Sequence, residues 1–205
     1  MGGGSSDAAT VLLVLDSLWN TGLSLDGLAT LGLRLGADVP VFVRGRAAWA
    51  EGVGERLTPV EPSRPWYLVV DPGCHVSTAA VFSAPALTRN SAPLTIPRFL
   101  RGGSAGDRAE PSADRFYDEA GNDCEAVVRL QYPEVDEAFR WLSGFGRPRL
   151  TGTGAGVFLP CRTERHARRV GSRVPERWQS FVARGLNRSP MSRGRMRGAN
   201  SPETG

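Results

Sequence analysis

Lysine is absent from this sequence: all 25 of its basic side chains are arginine. A phosphate loop of the Gly-Lys-Ser/Thr kind, which needs an ammonium group on the terminal phosphates, is thereby excluded. So is Schiff-base chemistry at a lysine amine. Cysteine is scarce, and Cys74, Cys124 and Cys161 are scattered without a Cys-x-x-Cys spacing. Neither a zinc site nor a disulfide framework is indicated; the three read as reduced thiols in or near a core, as in a cytoplasmic protein. No apolar run reaches the roughly 18 residues that suggest a membrane helix. The start of the chain has no basic stretch followed by an apolar one, so a secretory signal is not expected.

What is present suits a globular α+β chain. Its 205 residues are 40% hydrophobic, enough for one large domain or two small ones. The net charge of +4 is modest. Much of the basic excess sits near the end, at Arg184, Arg188, Arg193, Arg195 and Arg197. The stretch 188–205 has no apolar periodicity and is expected to be a disordered basic tail.

The periodicity predicts a helix over 6–20, with Ala8, Leu12, Leu15 and Trp19 on one face. A second helix is expected after a Ser24 cap, with Leu25, Leu28, Leu31 and Leu35 inward and Gly36 as its stop. Val39 to Val43 reads as a strand with Pro40 at its start or on an edge. Residues 47–51 and 56–60 form a hairpin pattern around Gly52-Val53-Gly54. The polar, proline-containing run 61–65 marks a domain boundary, giving 1–62 and 63–187 as two domains. In the second, strands are expected at 66–70, 149–151, 156–159 and 178–183. Helices are expected at 77–83, 123–130, from Pro133 on, and at 163–170. Residues 85–113 read as a long loop with at most a short helix near 96–100.

Several residues are candidates for chemistry. Gly2, Gly3, Gly4, Ser5 and Ser6 run straight into the first helix. Free backbone N–H groups, the helix dipole and the missing side chains make such a start an anion site, and either serine can cap the helix. A flexible leader ahead of an ordinary helix has the same composition. Asp38 stands among Ala37, Val39 and Pro40, and a lone carboxylate there can orient a substrate hydroxyl or accept its proton; a turn or capping aspartate is the plainer alternative. Thr151, Gly152, Thr153, Gly154 and Ala155 form a second glycine-rich element. It departs from Gly-x-Gly-x-x-Gly, since Val157 takes the last position. A tight strand–loop–strand turn near a ligand, or a plain hairpin, fits it better. Phe82, on a helical face, reads as core more readily than as a stacking surface. His75 reads as a loop residue, His166 as a residue on a solvated helix face, and Asn122 to Glu125 as a helix start with acids in its first turn.

Three of these elements fall into one order: a Gly-Ser-Ser start opening a helix, Gly-Ala-Asp-Val-Pro-Val-Phe, and Leu-Thr-Gly-Thr-Gly-Ala-Gly-Val-Phe. In that order and form the chain resembles the GHMP kinase superfamily, and within it the kinases acting on a cytidine-diphosphate-linked methylerythritol. The resemblance implies a GHMP kinase fold. That means a partial N-terminal domain like the second domain of ribosomal protein S5, then a ferredoxin-like C-terminal domain, with both substrates in the cleft between them. It implies ATP-dependent phosphorylation of the 2-hydroxyl of the diphosphocytidyl substrate, in non-mevalonate isoprenoid synthesis. Gly2, Gly3, Gly4, Ser5 and Ser6 then match the second half of the ATP phosphate loop. Asp38 matches the catalytic aspartate, Thr151 to Ala155 the third glycine motif near the phosphates, and Phe82 an aromatic packing on cytosine. Mg²⁺ would arrive with ATP, the partner would be a small molecule rather than nucleic acid or membrane, and the location cytoplasmic. The family begins with roughly a hundred further residues, including a Pro-x-Lys-x-Asn-like stretch whose lysine assists phosphoryl transfer. The chain thus corresponds to a C-terminal two-thirds and is expected to be impaired by itself. Another GHMP kinase acting on a different alcohol, and a non-catalytic ligand- or RNA-binding remnant, are the alternatives.

Overall fold

A computed structural model describes residues 2–92 and 121–190. The described residues divide into two compact units, one within Ser63–Gly185, the other combining Gly2–Pro62 with the stretch from Leu186 to Pro190.

The first unit holds three helices, α1 (Gly3–Trp19), α2 (Leu25–Leu33) and α3 (Val39–Arg44), then a hairpin of β1 (Ala48–Glu51) and β2 (Arg56–Pro59). Its small core consists of Ala9, Leu28, Ala29, Val39 and Val43, with Leu12, Leu13 and Phe42 packed against it. Ser24 caps α2, its hydroxyl accepting from the Gly27 N–H. Of the four leucines expected inward, Leu28 alone is buried; Leu25, Leu31 and Leu35 are exposed, and Ala29 and Gly32 take the inner face. On α1, too, the inward face shifts: Ala9 and Asp16 are buried while Trp19 is exposed. The Asp16 carboxylate accepts from the Thr21 hydroxyl and the Leu23 N–H, pinning the chain as it leaves the helix.

The expected strand at 39–43 is instead helix α3. Proline sits in its first turn, where a missing N–H is harmless, and Gly45 ends it in the left-handed conformation. The β-branched run Val39, Val41, Val43 favours a strand locally. Packing against α1 and α2, which buries Val39 and Val43, overrides that preference.

The start of the expected disordered tail is also ordered. Arg188 forms an antiparallel bridge with Arg46, and the Ser189 N–H donates to the Gly45 carbonyl. Asn187 accepts from the Ala47 N–H through its backbone, and its amide donates to Glu61 and to the Pro62 carbonyl. Backbone pairing needs no apolar periodicity, which is why the sequence pattern misses it. The rest of that tail, and the expected loop from residue 93 with its helix near 96–100, lie outside the described residues.

The second unit is a four-stranded antiparallel sheet with helices. It comprises β3 (Trp66–Asp71), α4 (Thr78–Ser83), α5 (Cys124–Gln131), α6 (Pro133–Ser143), β4 (Arg149–Leu150), β5 (Val157–Cys161), α7 (Glu164–Gly171) and β6 (Gln179–Arg184). The strand order is β4-β5-β3-β6, and each neighbouring pair is antiparallel. That order is the split β-α-β-β-α-β arrangement of a ferredoxin-like domain. Central β3 is apolar on both faces: Leu68 and Val70 are fully buried and Val69 nearly so. The core joins them to Val127, Val128, Val135, Ala138, Leu142 and Val157. Trp178, expected at the head of the last strand, is buried just ahead of it and meets Trp141 edge to face. Tyr132 precedes α6, whose first turn holds Pro133, and its hydroxyl accepts from the Ser77 N–H, tying that helix start to the cap of α4.

Candidate active site

The sequence-predicted residues fall into two groups, one on each unit. On the first unit the glycine-rich start is less a loop than a helix end. Gly2 is the N-cap, in the left-handed conformation, and Gly3, Gly4, Ser5 and Ser6 are already helical. Neither serine caps the helix; no side chain does. The first helical bond runs from the Ser6 N–H to the Gly2 carbonyl at 2.9 Å, so the N–H groups of Gly3, Gly4 and Ser5 precede the intrahelical ladder. Nothing lies within 4 Å of where side chains on Gly3 and Gly4 would start. An end with unused donors, an open face and the positive pole of a 17-residue helix can receive an anionic oxygen.

Asp38 is the N-cap residue of α3; its side chain makes no capping bond and is exposed. The fold brings it to the start of α1. A methyl group placed on Gly36 would lie 3.8 Å from Ser5 Oγ, and one on Gly2 would lie 3.2 Å from the Phe42 ring, one turn beyond Asp38. The β1–β2 turn closes on the same segment: a Cβ on Gly54 would sit 2.8 Å from the Ala37 carbonyl oxygen, so only glycine allows that approach. A carboxylate left unpaired beside an anion-receiving helix end can orient a hydroxyl against a phosphate.

On the second unit, Thr151 to Gly156 form the tight turn between β4 and β5. The Thr151 N–H donates to Gly156 O at 3.0 Å and the Gly154 N–H to Thr151 O at 2.7 Å. Gly154 has φ +92, and a methyl group there would meet Leu150, Val128 and Val76 at 3.3–3.5 Å. The turn is held from outside by two residues that the sequence pattern does not single out. The Asn122 amide donates to Leu150 O at 3.2 Å and Gly152 O at 2.8 Å, and the Thr78 hydroxyl pairs with that of Thr153 at 2.9 Å. Asn122 reads as a mere helix start because its partners lie about thirty residues away. Phe82 stands one turn beyond Thr78 on α4 and is 57% exposed, a presented ring rather than a core one. So the glycine turn and the aromatic are brought onto one helix-and-turn assembly.

The thiols offer no nucleophile. Burial pushes Cys124 and Cys161 above the usual thiol range, and burial followed by the Glu134 carboxylate does the same for Cys74. Among the described residues no group of three or more His, Cys, Asp or Glu is arranged to hold a metal ion. No described helix is long and apolar enough to cross a membrane.

Comparison with known proteins gives these groups a context. Residues 1–46 match the model of the GHMP kinases N terminal domain, and residues 108–180 that of the GHMP kinases C terminal. A 4-diphosphocytidyl-2-C-methyl-D-erythritol kinase of Alkalilimnicola ehrlichii is 57% identical over 198 residues, 97% of this chain and 62% of that protein. Enzymes of the same name from Chromohalobacter salexigens and Halorhodospira halophila are 54% and 51% identical, each over 93% of this chain and 61–62% of their own length. The chain therefore spans under two thirds of these relatives. The crystal structure of a 4-(cytidine 5'-diphospho)-2C-methyl-D-erythritol kinase, 32% identical, superposes with a TM-score of 0.67 over 90% of this chain and 66% of that one. The two domain models together take in more than half of the residues, in the order that the fold displays, and the chain belongs to the GHMP kinases.

Proposed function

We propose that this chain takes part in the ATP-dependent phosphorylation of the 2-hydroxyl of 4-diphosphocytidyl-2-C-methyl-D-erythritol, a step of non-mevalonate isoprenoid precursor synthesis. The observation that carries the reading is identity of 51–57% to kinases of that name across nearly the whole chain. In this reading Gly2, Gly3, Gly4, Ser5 and Ser6 form the phosphate site at the head of α1, where the N–H groups of Gly3, Gly4 and Ser5 donate to ATP phosphate oxygens. Asp38 orients the acceptor hydroxyl and takes its proton. Thr151, Gly152, Thr153, Gly154 and Ala155 shape the phosphate side of the second unit, and the exposed ring of Phe82 packs on cytosine. Phosphoryl transfer rests on positioning and on charge stabilisation, both of which fixed backbone donors and a correctly placed carboxylate supply. Mg²⁺ fits as a companion of the nucleotide, held by its phosphates rather than by a protein cage, and would neutralise charge there. An ATP-using enzyme with a charged substrate works where ATP is, so the cytoplasm is its proposed place.

Calorimetric titration tests the reading. The chain is expected to bind a non-hydrolysable ATP analogue and, at a separate site, the diphosphocytidyl substrate, with cytidine monophosphate competing only for the second. Indifference to cytidine nucleotides would sink the proposed substrate, and indifference to both ligands the kinase reading itself.

A further inference from the structure

We infer that Asn122 is a positioning residue, the clamp that sets the shape of the Thr151–Gly156 turn. Its side chain does three things at once. The amide nitrogen donates to Leu150 O, at the end of β4, and to Gly152 O, at the corner of the turn. The amide oxygen accepts the Cys124 N–H at 3.0 Å, in the first turn of α5. The residue required is a neutral group with two donors and one acceptor on a short stem, which is asparagine and nothing smaller. Aspartate keeps the acceptor and loses both donors; serine keeps at most one donor; alanine loses everything. The orientation of the amide is fixed by its surroundings, since the reverse would point its oxygen at two carbonyl oxygens.

The clamp has a second jaw. Thr78, the first residue of α4, pairs with Thr153 across the turn. The turn is thereby tied to the starts of two helices, α5 through Asn122 and α4 through Thr78. Its own two backbone bonds join only its ends and its first half, so its corner is held from outside. Gly154 presses on Leu150, Val128 and Val76 beneath, which leaves the corner no room to collapse inward. Asn122 therefore governs the direction in which the amides of the turn face. That these amides serve the phosphate side of an ATP site rests on the kinase reading above; the clamp itself does not.

The experiment uses the whole chain and the variants Asn122→Asp and Thr78→Val. Asn122→Asp preserves the bond that α5 needs and removes both bonds to the turn; Thr78→Val removes the second jaw without adding charge. Amide exchange at residues 152–156 is expected to quicken about tenfold in Asn122→Asp, and less in Thr78→Val, while α5 keeps its protection. Affinity for the ATP analogue is expected to fall by about the same factor in Asn122→Asp, with that for cytidine monophosphate unchanged. Equal loss of protection in α5 and the turn, or no change in the turn, would overturn the inference, because Asn122 would then be a helix cap only. A wild-type chain that ignores the ATP analogue would remove the kinase reading, while the exchange data would still decide the clamp.

Discussion

Asp38 and Gly154 are two positions at which a proposed role in chemistry and a role in architecture can be tested apart. Asp38 is exposed and its side chain bonds to no part of the helix it begins, so it supports no structure that a substitution would undo. Asp38→Asn is expected to leave the melting temperature almost unmoved and to lower phosphoryl transfer by about 10²–10⁴-fold, the usual contribution of a proton-accepting group. Single-turnover transfer from labelled ATP, read beside a melting curve, checks both halves. A parallel loss of fold and rate would return Asp38 to the status of a turn residue. Gly154 is the opposite case. An alanine there meets positive φ and three side chains within 3.5 Å, and Gly154→Ala is expected to destabilise by about 1–3 kcal/mol. Gly152→Ala has φ +50 but open space around it, and should lose about 1–2 kcal/mol at most. Urea midpoints at constant slope rank the two.

Among the elements, α3 is where sequence and structure part, and the reason is physical. Six strands and most helices follow from local pattern: β3 from a wholly apolar run, the hairpin from Gly52-Val53-Gly54, and α2, α4 and α7 from Ser24, Ser77 and Thr163, each of which accepts an N–H from its helix. In α3 the local pattern points both ways. Alternating valines say strand; a proline near the start and a glycine at the end say helix. The tie is broken by tertiary packing, which no window of six residues contains. The candidate site is legible only in its residue types, and its roles are a matter of proposal. Its glycines, Asp38 and Phe82 stand out by type, whereas Asn122 and Thr78 act across 30 and 75 residues and leave no local trace. The α2–α3 crossing supplies a test. In an open helix Gly→Ala stabilises by up to about 1 kcal/mol. At Gly32 the added methyl would lie 2.7 Å from Val39 Cγ1, so Gly32→Ala is expected to reverse that sign and destabilise by about 1–3 kcal/mol. At Gly27 the nearest atom is Ser24 Oγ at 3.5 Å, an ordinary distance, and Gly27→Ala should show the normal gain. If both variants gain, α2 and α3 do not pack in this way.

For the molecule as a whole, the telling feature is an apolar surface on the first unit that is exposed among the described residues. Helix α1 is apolar almost all round, as a helix buried on every side would be. Its inner face meets the core through Ala9, Leu12 and Leu13, while Val11, Val14, Leu18 and Trp19 stand 42–72% exposed. Leu25, Leu31 and Leu35 of the α2 region add to this. Full burial of such a side chain is worth about 1.5–3 kcal/mol, so several of them in water are a drive toward association. The relatives are longer by more than a third of their own length. The 205-residue chain taken alone is thus expected to bind a hydrophobic dye and to self-associate as its concentration rises. Leu18→Gln with Trp19→Gln should weaken both dye binding and association, because those two side chains are the most exposed of the patch on α1. Sedimentation and dye fluorescence read the two quantities separately. A chain that is monomeric and dye-silent by itself would mean that α1 needs no further cover.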